Sequence, residues 1–115
     1  MFVLRWTEEA SAEYARLKAK AEAALSIRRK RSRSKNSQGE GLFKQVHKCV
    51  SLLGENPRHP GLHTHEYHSL AHPFNPHDKV FEAYAQNRTP GAYRVFWCYG
   101  PEAGQITVIA ITPHP

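Results

Sequence analysis

Cysteine is scarce in this chain: Cys49 and Cys98 are the only two among 115 residues. One falls in an expected helix and the other in an expected strand, so they read as buried free thiols. A small secreted scaffold built on disulfides is excluded. A long apolar run is missing as well, and no segment is expected to cross a bilayer as a helix. Arg5, Glu8 and Glu9 interrupt the opening residues before a signal-peptide core could form. Internal repeats are also missing. These absences lead to the expectation of a soluble, cytoplasmic protein with no membrane partner, folded as a single domain over residues 1–115.

Acid is missing from one stretch in particular. "SIRRKRSRSKNSQ" holds Arg28, Arg29, Lys30, Arg31, Arg33 and Lys35, six of the sixteen Lys and Arg residues, and no Asp or Glu. The other ten basic residues face ten acidic ones, so this run carries the whole formal charge of +6. Such a cluster favours phosphate-rich partners through counterion release. A solvated helix end that only keeps the protein soluble is the competing reading.

What is present is ordinary globular material, 40% hydrophobic and 10% aromatic. "FVLRW" reads as a strand. Thr7 follows as an N-cap, with Glu8 and Glu9 suited to the positive end of a helix. Tyr14, Leu17, Ala21 and Leu25 recur at helical spacing, and Ala-rich composition carries that helix to about Arg31. A second helix is expected from about Leu42 to Leu53, stopped by Gly54 and Asn56-Pro57. Beyond it the period changes to two. "HTHEYHSL", "KVFEAYAQ", "AYRVFWCYG" and "QITVIAIT" read as strands. "AHPFNPHD" is a loop, and "NRTPG" places Pro90 and Gly91 for a type II turn. The expected class is α+β, in the order β-α-α-β-β-β-β. The sheet should be mostly antiparallel, with a helical hairpin on one face and the other face left for function.

This order, with these residues, resembles the RelE/ParE toxin superfamily. "FVLRWTEEASAEYARL" resembles the family's opening strand and first helix. "LLGENPRHPGLHTHEYHSL" resembles the end of its second helix, the turn and the next strand. "VFEAYAQNRTPGAYRVFWCYG" and "ITVIAITPHP" resemble its central hairpin and final strand. The likeness is weakest over the basic run and over Ala71 to Asp78. It implies the toxin of a type II toxin–antitoxin pair, with an antitoxin protein as partner. It also implies one of two actions: RelE-like cutting of mRNA on the ribosome, or ParE-like inhibition of gyrase. A non-catalytic RNA- or partner-binding module on the same fold is a third possibility, because fold alone does not choose function.

RNA can be cut by its own 2′-hydroxyl. The reaction needs a proton acceptor, a proton donor and cations on the phosphate, and no metal. Alternation puts Arg94, Phe96 and Cys98 on one strand face, with Tyr93, Val95, Trp97 and Tyr99 on the other. Arg94 in mid-strand among aromatics resembles the family's phosphate-binding arginine; an ion pair with Glu82 on the neighbouring strand is the alternative. Glu82 is a candidate base. Lys79 and Arg88 lie near strand ends as further phosphate contacts, beside the basic run from Arg28 to Lys35.

Eight histidines are present, six of them between His59 and His77. His63 and His65 would share a face as base, stacking partner or metal ligands, yet their spacing matches no zinc motif. No metal or other cofactor is therefore expected. His114 stands between Pro113 and Pro115 just past a core strand. A strand end holds a residue more firmly than a loop tip does. In the family that it resembles, a histidine at this place often transfers the proton. The expected catalytic set is thus Arg94 and His114, with His65 or Glu82 as second partner, in a metal-independent and ribosome-dependent endoribonuclease.

Overall fold

The computed structural model describes residues 1–30, 38–87 and 90–114. Strand β1 (Val3–Trp6) is followed by helices α1 (Glu8–Lys30) and α2 (Gln38–Glu55). A 3-10 turn over Pro60–Leu62 leads into β2 (His65–Glu66), β3 (Phe81–Tyr84), β4 (Tyr93–Tyr99) and β5 (Gln105–Pro113). The five strands form one sheet in the order β1-β5-β4-β3-β2. β1 pairs with β5 in parallel, and every other neighbour is antiparallel. The expected α+β architecture is the observed one.

Both helices pack on the same sheet face. Along α2, Val46, Cys49, Val50 and Leu53 follow the three- and four-residue spacing of one helical stripe, and all are buried. Ala10, Leu17 and Ala21 give α1 a narrower buried stripe of smaller residues. The sheet answers with Ala83, Val95, Trp97, Ile106, Val108 and Ile111. Truncating a residue as enclosed as Leu53 to alanine costs about 2–5 kcal/mol. Phe81 stacks on Trp97 at 4.8 Å between ring centroids.

Thr7 caps α1 as expected: its Oγ1 accepts from the Ala10 N–H at 3.1 Å. The same hydroxyl donates to the Ile109 carbonyl at 2.7 Å. That carbonyl belongs to a bulge, because Phe96 pairs with Ala110 while Trp97 pairs with Val108. Gly91 has φ +68, which a type II turn requires at its third position.

Three expectations are corrected. Helix α2 begins at Gln38 rather than near Leu42 and passes through Gly54 to Glu55, so Asn56-Pro57 is the stop. The Gly54 carbonyl accepts from the Phe2 N–H at 2.7 Å, tying β1 to the end of this helix. The strand expected over "HTHEYHSL" shrinks to His65–Glu66. Tyr67 keeps one bond along the edge, its N–H donating to the Val80 carbonyl at 2.8 Å, and its ring lies on Phe96, centroids 4.7 Å apart; beyond it the chain leaves the sheet edge. Finally, the second sheet face is not wholly open. Residues 67–80 cross part of it, and Phe96 and Cys98 are buried there. Large aromatic surface on a strand needs cover, and this loop provides it.

Candidate functional site

Glu82 is the centre of the open part of that face. β3 is antiparallel to both neighbours, which sets Glu82 opposite His65 on β2 and opposite Phe96 on β4. Its side chain is 0% exposed. A buried carboxylate is costly unless charged or donor groups meet its oxygens. Two histidines do so. His114 Nδ1 hydrogen-bonds Glu82 Oε2 at 2.8 Å. His65 Nε2 lies 2.6 Å from Glu82 Oε1. The His65 contact is off the hydrogen-bonding axis, so it is a close contact rather than an aligned hydrogen bond. Arg94 Nε stands 3.9 Å from Oε2, at the outer limit of an ion pair.

The four residues are not equivalent. His65 and His114 have side chains 48% and 46% exposed, whereas Arg94 is 10% exposed. His114 commits Nδ1 to the carboxylate, which leaves Nε2 for a substrate. Its backbone N–H donates to the Ala92 carbonyl at 2.8 Å, so the ladder holds the residue beyond the end of β5. His65 has both ring nitrogens near acceptors, with Nδ1 at 3.3 Å from the His63 carbonyl. Arg94 is directed inward. Its Nη1 donates to the carbonyls of Gln86 at 2.5 Å and Tyr93 at 3.3 Å. Its guanidinium carbon lies 3.7 Å from the centroid of the Tyr84 ring. Stacking and carbonyl bonds offset part of the cost of taking this arginine out of water, while its buried Nε has no hydrogen-bond partner.

The structure therefore brings Arg94, His114, Glu82 and His65 into one cluster, with the Glu82 carboxylate sealed from solvent at its centre. Lys79 is set apart: its amine is 3.8 Å from Glu66, on the other side of the edge strand. Arg28, Arg29 and Lys30 close α1. Arg31, Arg33, Lys35 and Arg88 lie outside the described residues.

The remaining histidines also take defined places. His63 lies before β2 in the left-handed region, so it does not alternate with His65 along a strand. His59 Nδ1 accepts from the Gly61 N–H at 2.9 Å and caps the 3-10 turn. His72 is buried; its Nδ1 accepts from the N–H groups of Phe74 at 3.1 Å and Asn75 at 3.0 Å. Its Nε2 therefore donates to the Tyr99 carbonyl at 3.2 Å. That imidazole fastens the covering loop to β4. Beneath the loop, burial and the nearby Asp78 carboxylate push the Cys98 thiol up to about 11. Among the described residues, no group of three or more His, Cys, Asp or Glu side chains is arranged to hold a metal ion. No described helix is long and apolar enough to cross a membrane.

Sequence reasoning named each member of the cluster but missed what joins them. Two histidines on the two oxygens of one carboxylate need the register of three strand pairs. Tyr84 as the bed for Arg94 was also missed, although it shares a strand face with Glu82.

Among solved structures, the chain is similar to a YoeB/ParE toxin from Agrobacterium tumefaciens, with a TM-score of 0.58. The match covers 97% of this chain and 98% of that one, at 8% sequence identity. The fold is that of the RelE/ParE-like toxins. No family model matches the sequence, and no curated protein matches it. In this fold the helical hairpin occupies one sheet face, and the cluster forms on the other.

Proposed function

We propose that this protein is the toxin of a toxin–antitoxin pair and acts as an endoribonuclease on mRNA bound to the ribosome. The observation that carries the reading is the His114–Glu82 pair. A fully buried carboxylate fixes one ring nitrogen of a half-exposed histidine and leaves the other for a substrate. That is how a proton-transfer histidine is oriented for use near neutral pH. The likeness in fold to a YoeB/ParE toxin supports the toxin assignment and an antitoxin partner.

In this reading His114 Nε2 accepts the proton of an RNA 2′-hydroxyl. The 2′-oxygen attacks the adjacent phosphorus, and the bond to the 5′-oxygen breaks. That leaving oxygen takes a proton, and the products are a 2′,3′-cyclic phosphate and a 5′-hydroxyl. His65, on the other oxygen of Glu82, is the second proton-carrying group. Arg94, enclosed with its Nε 3.9 Å from Glu82 Oε2, places a positive charge behind the two histidines. None of these steps draws on a metal or another cofactor.

The enclosure of Arg94 favours a second reading, in which the arginine is structural and the protein inhibits gyrase in the ParE manner. The test is expression of the chain without an antitoxin, followed by mapping of RNA ends and a gyrase supercoiling assay. Growth arrest with new 5′-hydroxyl ends inside coding regions is the expected result. Arrest with intact RNA and blocked supercoiling overturns the nuclease reading. Purified toxin should also cut ribosome-bound mRNA after treatment with a zinc-selective chelator that spares magnesium; activity lost there and restored by zinc would make a metal part of the site.

A further inference from the structure

We propose that His63 is a nucleobase-stacking subsite beside the His65–Glu82–His114 cluster; the inference rests on the RNA-cleaving reading and names how the strand is gripped. His63 has φ 48° and ψ 38°, in the left-handed region. A residue with a side chain bears roughly 1–2 kcal/mol there. Glycine or asparagine is the usual occupant of such a position after a helical turn. Here the position carries an exposed imidazole instead, and the backbone around it is held on both sides. The His63 N–H donates to the Pro60 carbonyl at 3.1 Å. Its carbonyl faces His65 Nδ1 at 3.3 Å. The backbone that carries the ring is therefore held relative to the very residue that contacts Glu82.

What the ring stands against gives the ligand class. His63 and Tyr84 have centroids 5.5 Å apart at an interplanar angle of 42°. His65 meets the same tyrosine edge-on, at 5.7 Å and 80°. Tyr84 also carries the Arg94 guanidinium on its ring. The result is a group of flat side chains around Tyr84, with the Arg94 guanidinium on its ring and the tilted His63 imidazole beside it, exposed to solvent. An exposed π-face beside such a group can take another, and every nucleobase has one. Stacking of this kind is tolerant of sequence and changes affinity by roughly 5- to 150-fold per base. The base of a nucleotide flanking the scissile phosphate is the ligand of this subsite.

The test uses 2′-deoxy oligonucleotides, which lack the nucleophile and bind without being cut. Each carries one 2-aminopurine, moved to a new position in each strand, and a matched strand is abasic at that position. Wild-type protein should quench the fluorophore at one position and bind the abasic strand at least 5-fold more weakly. His63→Gly and His63→Asn suit the left-handed backbone, so folding is not at risk. Both should lose the quench and the discrimination, and His63→Trp should restore them. In ribosome-dependent cleavage, His63→Gly should raise KM with kcat nearly unchanged. Equal affinity of wild-type protein for base and abasic strands overturns the subsite, as does unchanged quenching in His63→Gly or failure to bind either strand. Loss of the nuclease reading shows differently: the quench persists while wild-type protein cuts no RNA.

Discussion

His114 and Glu82 are thirty-two residues apart in sequence and 2.8 Å apart in space, joined between Nδ1 and Oε2. The carboxylate is sealed from solvent and the imidazole is half open to it. A contact of this shape passes orientation outward from the core to a group at the surface.

His114→Ala should lower cleavage by roughly 10²–10⁴-fold, the usual contribution of general acid–base catalysis. Thermal unfolding should fall as well, because the change removes the hydrogen-bond donor to a fully buried carboxylate. His114→Gln is the finer variant, since glutamine keeps a hydrogen bond to Glu82 but cannot exchange a proton. A Gln variant as fast as wild type would remove His114 from proton transfer and leave it a structural residue.

Glu82→Ala should be far more damaging to the fold. It removes the partner of two histidines and leaves the Arg94 guanidinium enclosed beside an apolar gap. Breaking a buried charged cluster from one side costs about 3–5 kcal/mol. Urea unfolding gives the comparison, and Glu82→Gln should fall between wild type and Glu82→Ala. Equal unfolding midpoints for all three would show that the carboxylate is not the hub of the site.

The cysteines predict an alkaline limit. Burial pushes Cys49 up to about 12, and burial with the Asp78 charge pushes Cys98 up to about 11. The fold therefore holds these thiol protons more tightly than the unfolded chain does. The resulting stability is complete below the ordinary thiol pKa of about 8.5 and is lost as pH rises from there toward about 12. Denaturant midpoints should fall across that window, and less so in Cys49→Ala. At pH 8 the native protein should resist iodoacetamide until denaturant is added.

Neutralising the six cations from Arg28 to Lys35 should weaken RNA binding and flatten its salt dependence. On a single strand the slope of log affinity against log salt should shrink by up to about 4, near 0.7 for each phosphate that the run had neutralised. An unchanged slope would leave the run as a solubilising surface.

Much of the architecture was legible in the sequence, because it depends on local periodicity. The stripe from Val46 to Leu53, the alternation along β4 and the Thr7 cap are written in neighbouring residues. The helix pair on one face follows from them. Strand β2 was overread, since the alternation of "HTHEYHSL" competes with a left-handed His63 and with the demand of Phe96 for cover by Tyr67. The site was legible as a set of residue types and illegible as an arrangement. Nothing near Glu82 in sequence reveals that its oxygens are shared by His65 and His114. Nothing near Arg94 reveals that it turns inward to Tyr84 and the Gln86 carbonyl. Two of the eight histidines, His59 and His72, resolve into backbone caps, a role that spacing does not announce.

The bulge at Ile109 sets the parity of everything after it. Before it, Ile106 and Val108 point to the helices; after it, Ile111 does, and Ala110 and Thr112 point the other way. One uncounted residue thus exchanges odd for even along β5. Without it the same numbering would turn His114 toward the helical layer, away from Glu82. The Thr7 hydroxyl, bonded at once to the first turn of α1 and to the Ile109 carbonyl, fixes that count. The facing of a side chain on one layer is thereby governed by a cap on the other.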